Sequence, residues 1–93
     1  MGLFGKKKSA EELAAEAKAA RKAGDLVTAL ALSEKAAGMG NITAQYNCGI
    51  MYFNGEGTAR DKTRAWALFQ KVAAQTKNEV LQGVAKKILQ NHF

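Results

Sequence analysis

The 93-residue chain contains no proline, and it has no alternating run of β-branched and aromatic residues long enough to predict a strand. Alanine-rich stretches separated by glycines are typical of helices joined by short turns. These absences therefore favour an all-α fold over a sheet. At this length we expect a single domain with a modest core.

Cysteine and long apolar runs are also scarce. Cys48 is the only cysteine, so no disulfide can form within the chain and a reducing compartment is expected. No window of 18 or more apolar residues occurs, which predicts no membrane-spanning helix. The lysines near the start follow the apolar residues, the reverse of a signal peptide. We therefore expect a soluble, cytoplasmic protein.

The positive charge is concentrated at the start of the chain. The formal net charge is +6, and Lys6, Lys7 and Lys8 contribute half of it. We expect residues 1–8 to form a disordered basic tail and residues 9–93 a single helical domain. The tail suggests an alternative function, an accessory protein that contacts nucleic acid or an anionic membrane. Specific nucleic-acid binding is not expected, because basic and acidic residues are interleaved in the body and no known binding motif occurs.

The residue types needed for catalysis are few and scattered. His92 is the only histidine, and we expect it at a frayed helix end, without a second imidazole to share a metal. Cys48 is expected to pack in the core as a small apolar residue, and Asp61 to cap a helix. No catalytic triad and no pair of carboxylates is found. The sequence therefore predicts no enzyme activity, no cofactor and no metal.

The chain does contain an internal repeat. Residues 29–37 reappear at residues 65–73, an offset of 36, with five of the nine positions identical. A period of this length is typical of stacked helical repeats, in which each unit buries its apolar face against a neighbour. Such proteins usually bind other proteins along an extended surface.

Glycines and capping residues divide the chain into five predicted helices. Ser9 and Glu12 form a capping box that opens the first helix. Gly24 ends that helix, and Asp25 can cap the next one. The five helices are expected over residues 10–23, 26–37, 41 or 43 to 53, 61 or 62 to 74, and 78–90.

The third and fourth predicted helices carry a specific pattern. Residues 44–57 read AQYNCGIMYFNGEG and are followed by Asp61, Ala65, Lys71 and Ala73. This pattern resembles the Sel-one-like repeat, a relative of the tetratricopeptide repeat with a longer turn inside each helix pair.

The resemblance implies a fold and a type of function. The expected fold is an all-α, right-handed α-α superhelix with about two helix pairs and a capping helix. Residues 9–40 would form a tetratricopeptide-like unit, residues 41–76 a Sel-one-like repeat and residues 77–93 the cap. The implied function is a non-catalytic protein–protein interaction module or adaptor.

The sequence departs from the repeat pattern at several positions. Cys48 replaces a usual leucine, Leu68 replaces a usual tryptophan, and Trp66 is an additional aromatic residue.

One face of the third helix is expected to form helix contacts. Ala44, Cys48, Gly49 and Tyr52 lie on one helical stripe, and Gly49 would allow a neighbouring helix to approach closely. Gly55 and Gly57 permit backbone angles that other residues resist, and they are expected to shape the turn.

The faces of the first, third and fifth helices that point away from such helix contacts are expected to form an inner wall, and this wall is expected to bind the partner. In the related tetratricopeptide family the first helix of each pair lines this wall. Its mixture of amides, aromatic rings and cations suits an extended protein or peptide partner, acidic or carboxylate-bearing. Alternatively, Tyr46 and Phe53 pack against the fifth helix and leave little room for a groove. A further alternative is weak self-association of the chain. The wall residues are Lys18, Arg21, Lys22, Tyr46, Asn47, Ile50, Phe53, Asn54, Gln82 and Lys86.

Overall fold

The computed structural model describes residues 7–93, and these residues form five α-helices without a strand. The all-α prediction is therefore confirmed, and no predicted helix boundary differs by more than two residues. Within residues 7–93, no helix is both long enough and apolar enough to cross a membrane. The predicted tail lies mostly outside the described residues. The helices are α1 (Ala10–Lys22), α2 (Leu26–Gly38), α3 (Ile42–Asn54), α4 (Lys62–Ala74) and α5 (Glu79–His92).

A polar side chain caps the start of each of the five helices in residues 7–93. In the capping box at α1, the Glu12 backbone N–H donates to Ser9 Oγ (3.1 Å) and the Ser9 backbone N–H donates to Glu12 Oε1 (2.9 Å). The second of these bonds is the main reason that the pKa of Glu12 is lowered. Caps act over three residues, which explains why the boundaries were predictable. The five capping residues are Ser9, Asp25, Asn41, Asp61 and Asn78.

The helices pack in chain order. Each of α1 to α4 packs against the helix that follows it, and α3 also touches α5. This sequential packing is the arrangement of a helical-repeat solenoid. In α5, Ala85 is fully buried, whereas four polar residues in the second half of the helix are exposed. These exposed residues are Lys86, Lys87, Gln90 and Asn91.

The core is centred on the contact between α3 and α4. Phe69 of α4 is completely buried and faces Gly49 of α3. A Cβ atom at Gly49 would lie 2.7 Å from Phe69 Cε1, closer than real Cβ contacts allow. The close approach predicted at Gly49 is therefore confirmed. The whole predicted stripe of Ala44, Cys48, Gly49 and Tyr52 is buried.

The glycine-rich turn after α3 packs against the first helix pair. Gly55 and Gly57 adopt left-handed backbone conformations, with φ of 73° and 74°. A Cβ atom at Gly57 would lie only 2.3 Å from the carbonyl oxygen of Leu26, at the start of α2. The turn therefore needs glycine both for its conformation and for its contact with the preceding repeat.

Candidate functional site

A groove opens between α1 and α3, with α2 at its base. Its volume is about 420 Å³. Ala17, Ala29 and Ser33 are buried in it, and so is Met51, so its floor consists mainly of small or apolar side chains. Grooves of this shape accept an extended chain, because small floor residues let the ligand backbone approach closely. The lining residues are Ala14, Ala15, Ala17, Lys18, Arg21, Ala29, Ser33, Thr43, Asn47 and Met51.

Three of the predicted wall residues meet in this groove. Lys18 and Arg21 line it from α1, and Asn47 lines it from α3. Lys18 is exposed and Asn47 is half-buried. The structure therefore combines a cation and an amide on opposite sides of one groove.

Arg21 has a second role that the sequence did not indicate. Its Nη2 atom lies 2.7 Å from Glu56 Oε1, and Asn54 Nδ2 donates to Glu56 Oε2 at 3.3 Å. Glu56 belongs to the glycine-rich turn, so this ion pair connects the first helix to the second repeat. No local pattern in the sequence indicates this contact, because Arg21 and Glu56 are 35 residues apart. Arg21 is consequently less available to a ligand than Lys18.

The aromatic residues of the predicted wall take part in packing. Tyr46, Ile50 and Phe53 are partly buried against the core. The Tyr46 ring lies 6.2 Å from that of Phe69 in α4, and the Phe53 ring lies 5.6 Å from that of His92 in α5. The alternative in which Phe53 packs against the fifth helix is therefore observed, whereas Tyr46 packs against the fourth. His92, which was expected at a frayed helix end, is the last residue of α5.

The remaining wall residues lie outside the groove. Gln82 Nε2 donates to the Ala73 carbonyl oxygen at 3.3 Å and so connects α5 to α4. Lys22 and Lys86 are exposed, but neither lines the groove between α1 and α3.

A polar network joins α2, α3 and α4 on the other side of the molecule. The Tyr52 hydroxyl donates to the Glu34 carboxylate, and Arg64 Nη1 donates to the Tyr52 hydroxyl at 3.0 Å. Burial and the bond to Glu34 raise the pKa of Tyr52, while the bond to Tyr52 raises the pKa of Arg64. The network lies in a cavity of about 280 Å³ that Cys48 also lines. Its evident role is to hold three helices together.

Cys48 is a core residue with a strongly perturbed thiol. It is 1% exposed. Burial, assisted by the nearby charge of Glu34, raises its pKa from 9.0 to about 12. The thiolate is the nucleophilic form of cysteine, so this environment suppresses reactivity.

We expect the folded protein to resist alkylation at Cys48. At pH 8 a pKa raised from 9.0 to about 12 leaves roughly a thousandfold less thiolate than an unperturbed thiol would have. Iodoacetamide labelling followed by mass spectrometry should be slow in buffer and fast in guanidinium chloride. Equal rates in the two solvents would show that the Cys48 thiol is accessible in the folded state.

The helices pack in sequential pairs, and a groove lies between α1 and α3, which are the first helices of the two pairs. This arrangement defines a helical-repeat protein of the tetratricopeptide-like class. In a comparison with protein families, the model of the Sel1 repeat matches residues 20–41 and 42–77. Because these matches cover more than half of the chain, it belongs to the Sel1 repeat family. Neither the curated proteins nor the solved structures gave a match. Sel1 repeats are protein-interaction modules and are typically non-catalytic.

Proposed function

We propose that this chain is a non-catalytic interaction module that binds an extended peptide or protein segment in the groove between α1 and α3. The observation that carries the proposal is the open groove of about 420 Å³, which joins Lys18 of one repeat to Asn47 of the next. A ligand lying there contacts both repeats at once. The stack thus supplies a surface that a single helix pair lacks.

The polar groups of the groove favour a partner with carboxylates. Lys18 forms no ion pair with any residue in the range 7–93, so its ammonium group is available. The Asn47 amide can donate to and accept from a peptide backbone. Arg21 contributes less, because Glu56 already neutralises it. Tyr46 and Phe53 are packed against other helices, so the proposed site is centred on Lys18 and Asn47 rather than on the full predicted wall.

Replacing groove residues should weaken binding without unfolding the protein. Lys18→Glu reverses the charge beside the ligand, and we expect about a tenfold loss of partner affinity, which corresponds to ~1.4 kcal/mol. Asn47→Ala should act in the same direction. The variants can be compared by quantitative pull-down from lysate of the source cells, followed by titration of the captured partner.

The controls separate the groove from the tail. Lys77→Glu changes an exposed lysine that lies outside the groove, and it should retain the captured partner. Melting temperatures should change little for Lys18→Glu and Lys77→Glu, since substitutions of exposed residues usually shift stability by under ~0.5 kcal/mol. Asn47 is half-buried, so the binding of Asn47→Ala is compared at a temperature at which this variant is fully folded. Loss of the partner on deletion of residues 1–8, with Lys18→Glu silent, would contradict the proposal and support the alternative of an anion-directed tail.

A further inference from the structure

A second surface combines exposed aromatic rings with cations, and it lies apart from the groove between α1 and α3. Trp66 and Phe93 are 45% and 44% exposed. Together with Lys62 and Thr63 they line a shallow cavity of about 220 Å³. Trp66 is also the aromatic residue that the repeat pattern does not require. We call Arg60, Lys62, Trp66 and Phe93 the aromatic–cationic patch.

Packing of the core does not explain the position of Trp66. The core-facing residues of α4 are Ala65, Phe69 and Val72, and all three are completely buried. Trp66 follows Ala65 directly and therefore lies on another side of the helix. A large ring that remains in water is a candidate for contact with a partner, particularly beside a second exposed ring.

Two of the residues that line the cavity, Phe93 and Lys62, contact aromatic rings of α3 and α4. The Phe93 ring lies 5.6 Å from that of Phe53 and 6.1 Å from that of the buried Phe69. Lys62 Nζ lies 5.5 Å from the centre of the Phe53 ring. Because the Phe93 and Lys62 side chains already contact other residues, they lose less conformational entropy when a ligand binds than free side chains would.

The cations of the patch are Arg60 and Lys62, which lie on either side of Asp61, the residue whose side chain caps α4. Arg60 Nε donates to the Phe53 carbonyl oxygen at 3.1 Å, and this bond fixes the orientation of the guanidinium. In the part of the chain that the structure describes, neither Arg60 nor Lys62 forms an ion pair with a carboxylate. Lys62 lines the cavity, and Cζ of Arg60 lies 5.9 Å from the centre of the Phe53 ring, so the patch places two cations near an apolar cavity.

We propose that the aromatic–cationic patch binds an acidic peptide segment that inserts one apolar side chain between Trp66 and Phe93. Charge complementarity places carboxylates of the peptide beside Lys62 and Arg60. The cavity of about 220 Å³ admits a single side chain, which favours a peptide with one anchor over a broad lipid or nucleic-acid surface. This site is independent of the groove that contains Lys18, so the protein has two separate docking surfaces.

The test uses the fluorescence of Trp66, which is the only tryptophan in the chain and therefore reports on this patch alone. The probe is an acetylated five-residue peptide with one leucine between two pairs of glutamates. We expect a saturable blue shift of the emission that weakens as salt is raised. Replacing the glutamates by glutamine, or the leucine by alanine, should weaken binding at least about fivefold.

Variants that retain Trp66 locate the interaction. Lys62→Glu should weaken the peptide about tenfold and should keep the fold, because an acidic residue suits the first turn of a helix. Lys77→Glu and the groove variant Lys18→Glu should bind as the wild type does. Peptide binding at the aromatic–cationic patch is therefore tested independently of partner binding in the groove between α1 and α3.

Three outcomes would overturn the proposal. One is the absence of any emission shift at millimolar peptide, and another is equal binding of the glutamine peptide. The third is binding of the acidic peptide to Lys62→Glu with the wild-type affinity. If the first outcome is accompanied by a shift with vesicles of phosphatidylserine and phosphatidylcholine, or with a thymidine oligonucleotide, the patch belongs to a different class of partner.

Discussion

Gly57→Ala is expected to be the most destabilising alanine substitution in the glycine-rich turn. The residue has a φ of 74°, and a non-glycine residue in the left-handed region costs about 1–2 kcal/mol. Its new Cβ atom would also lie 2.3 Å from the Leu26 carbonyl oxygen, and relief of such an overlap adds ~1–3 kcal/mol. Thermal unfolding followed by circular dichroism should show a drop of roughly 4–8 °C for each kcal/mol lost.

Gly24→Ala is a matched control for this experiment. Gly24 also has a positive φ, 84°, but a Cβ atom there would meet no other atom within 4 Å. Gly24→Ala should therefore lower the free energy of unfolding by only the cost of the left-handed backbone conformation, about 1–2 kcal/mol. The difference between the two variants measures the contact between the turn and α2. Equal melting temperatures for Gly57→Ala and Gly24→Ala would show that the turn does not press on the first repeat in solution.

Gly49→Leu should also destabilise the protein, by ~1–3 kcal/mol. The Cβ atom alone would lie 2.7 Å from Phe69 Cε1, and the Phe69 ring is completely buried. To relieve the overlap, either the buried Phe69 ring must shift or α3 and α4 must move apart. The expected loss from Gly49→Leu is a large share of the total free energy of unfolding, which is ~5–14 kcal/mol for a domain of this size.

The control for Gly49→Leu is the same substitution at Gly83. Gly83 lies inside α5, is exposed, and has no atom within 4 Å of an added Cβ. Leucine has a higher helix propensity than glycine, so Gly83→Leu should stabilise the protein by about 0.5–1 kcal/mol. The two leucine variants should therefore shift the melting temperature in opposite directions. A Gly49→Leu protein that melts at or above the wild-type temperature would contradict the packing of α3 against α4.

These glycines show how the two repeats become one domain. Gly49 brings α3 and α4 together within the second pair, whereas Gly57 connects the second pair to the first. The Arg21–Glu56 ion pair reinforces the second contact, although both side chains are partly exposed and such pairs contribute at most ~1 kcal/mol. A substitution at Gly57 should consequently affect the coupling between repeats more than the folding of either pair.

The sequence by itself determined the helices and the repeat family. Ser9, Asp25, Asn41, Asp61 and Asn78 each cap a helix through a contact three residues away, so their effect is local. The buried stripe through Cys48 and Gly49 follows from helical periodicity, which needs only the spacing of residues along one chain segment. The glycine-rich turn was likewise visible, because a left-handed backbone strongly favours one residue type.

Only the tertiary structure decided how the predicted wall residues are used. Periodicity places Arg21, Tyr46 and Phe53 on the inner face, but it does not show which group each one meets. Arg21 meets Glu56, Tyr46 meets Phe69, and Phe53 meets the end of α5. The partners of Arg21, Tyr46 and Phe53 are 23 to 39 residues away in the chain, so the contacts depend on how the helices stack. Lys18 and Asn47, by contrast, line the groove between α1 and α3.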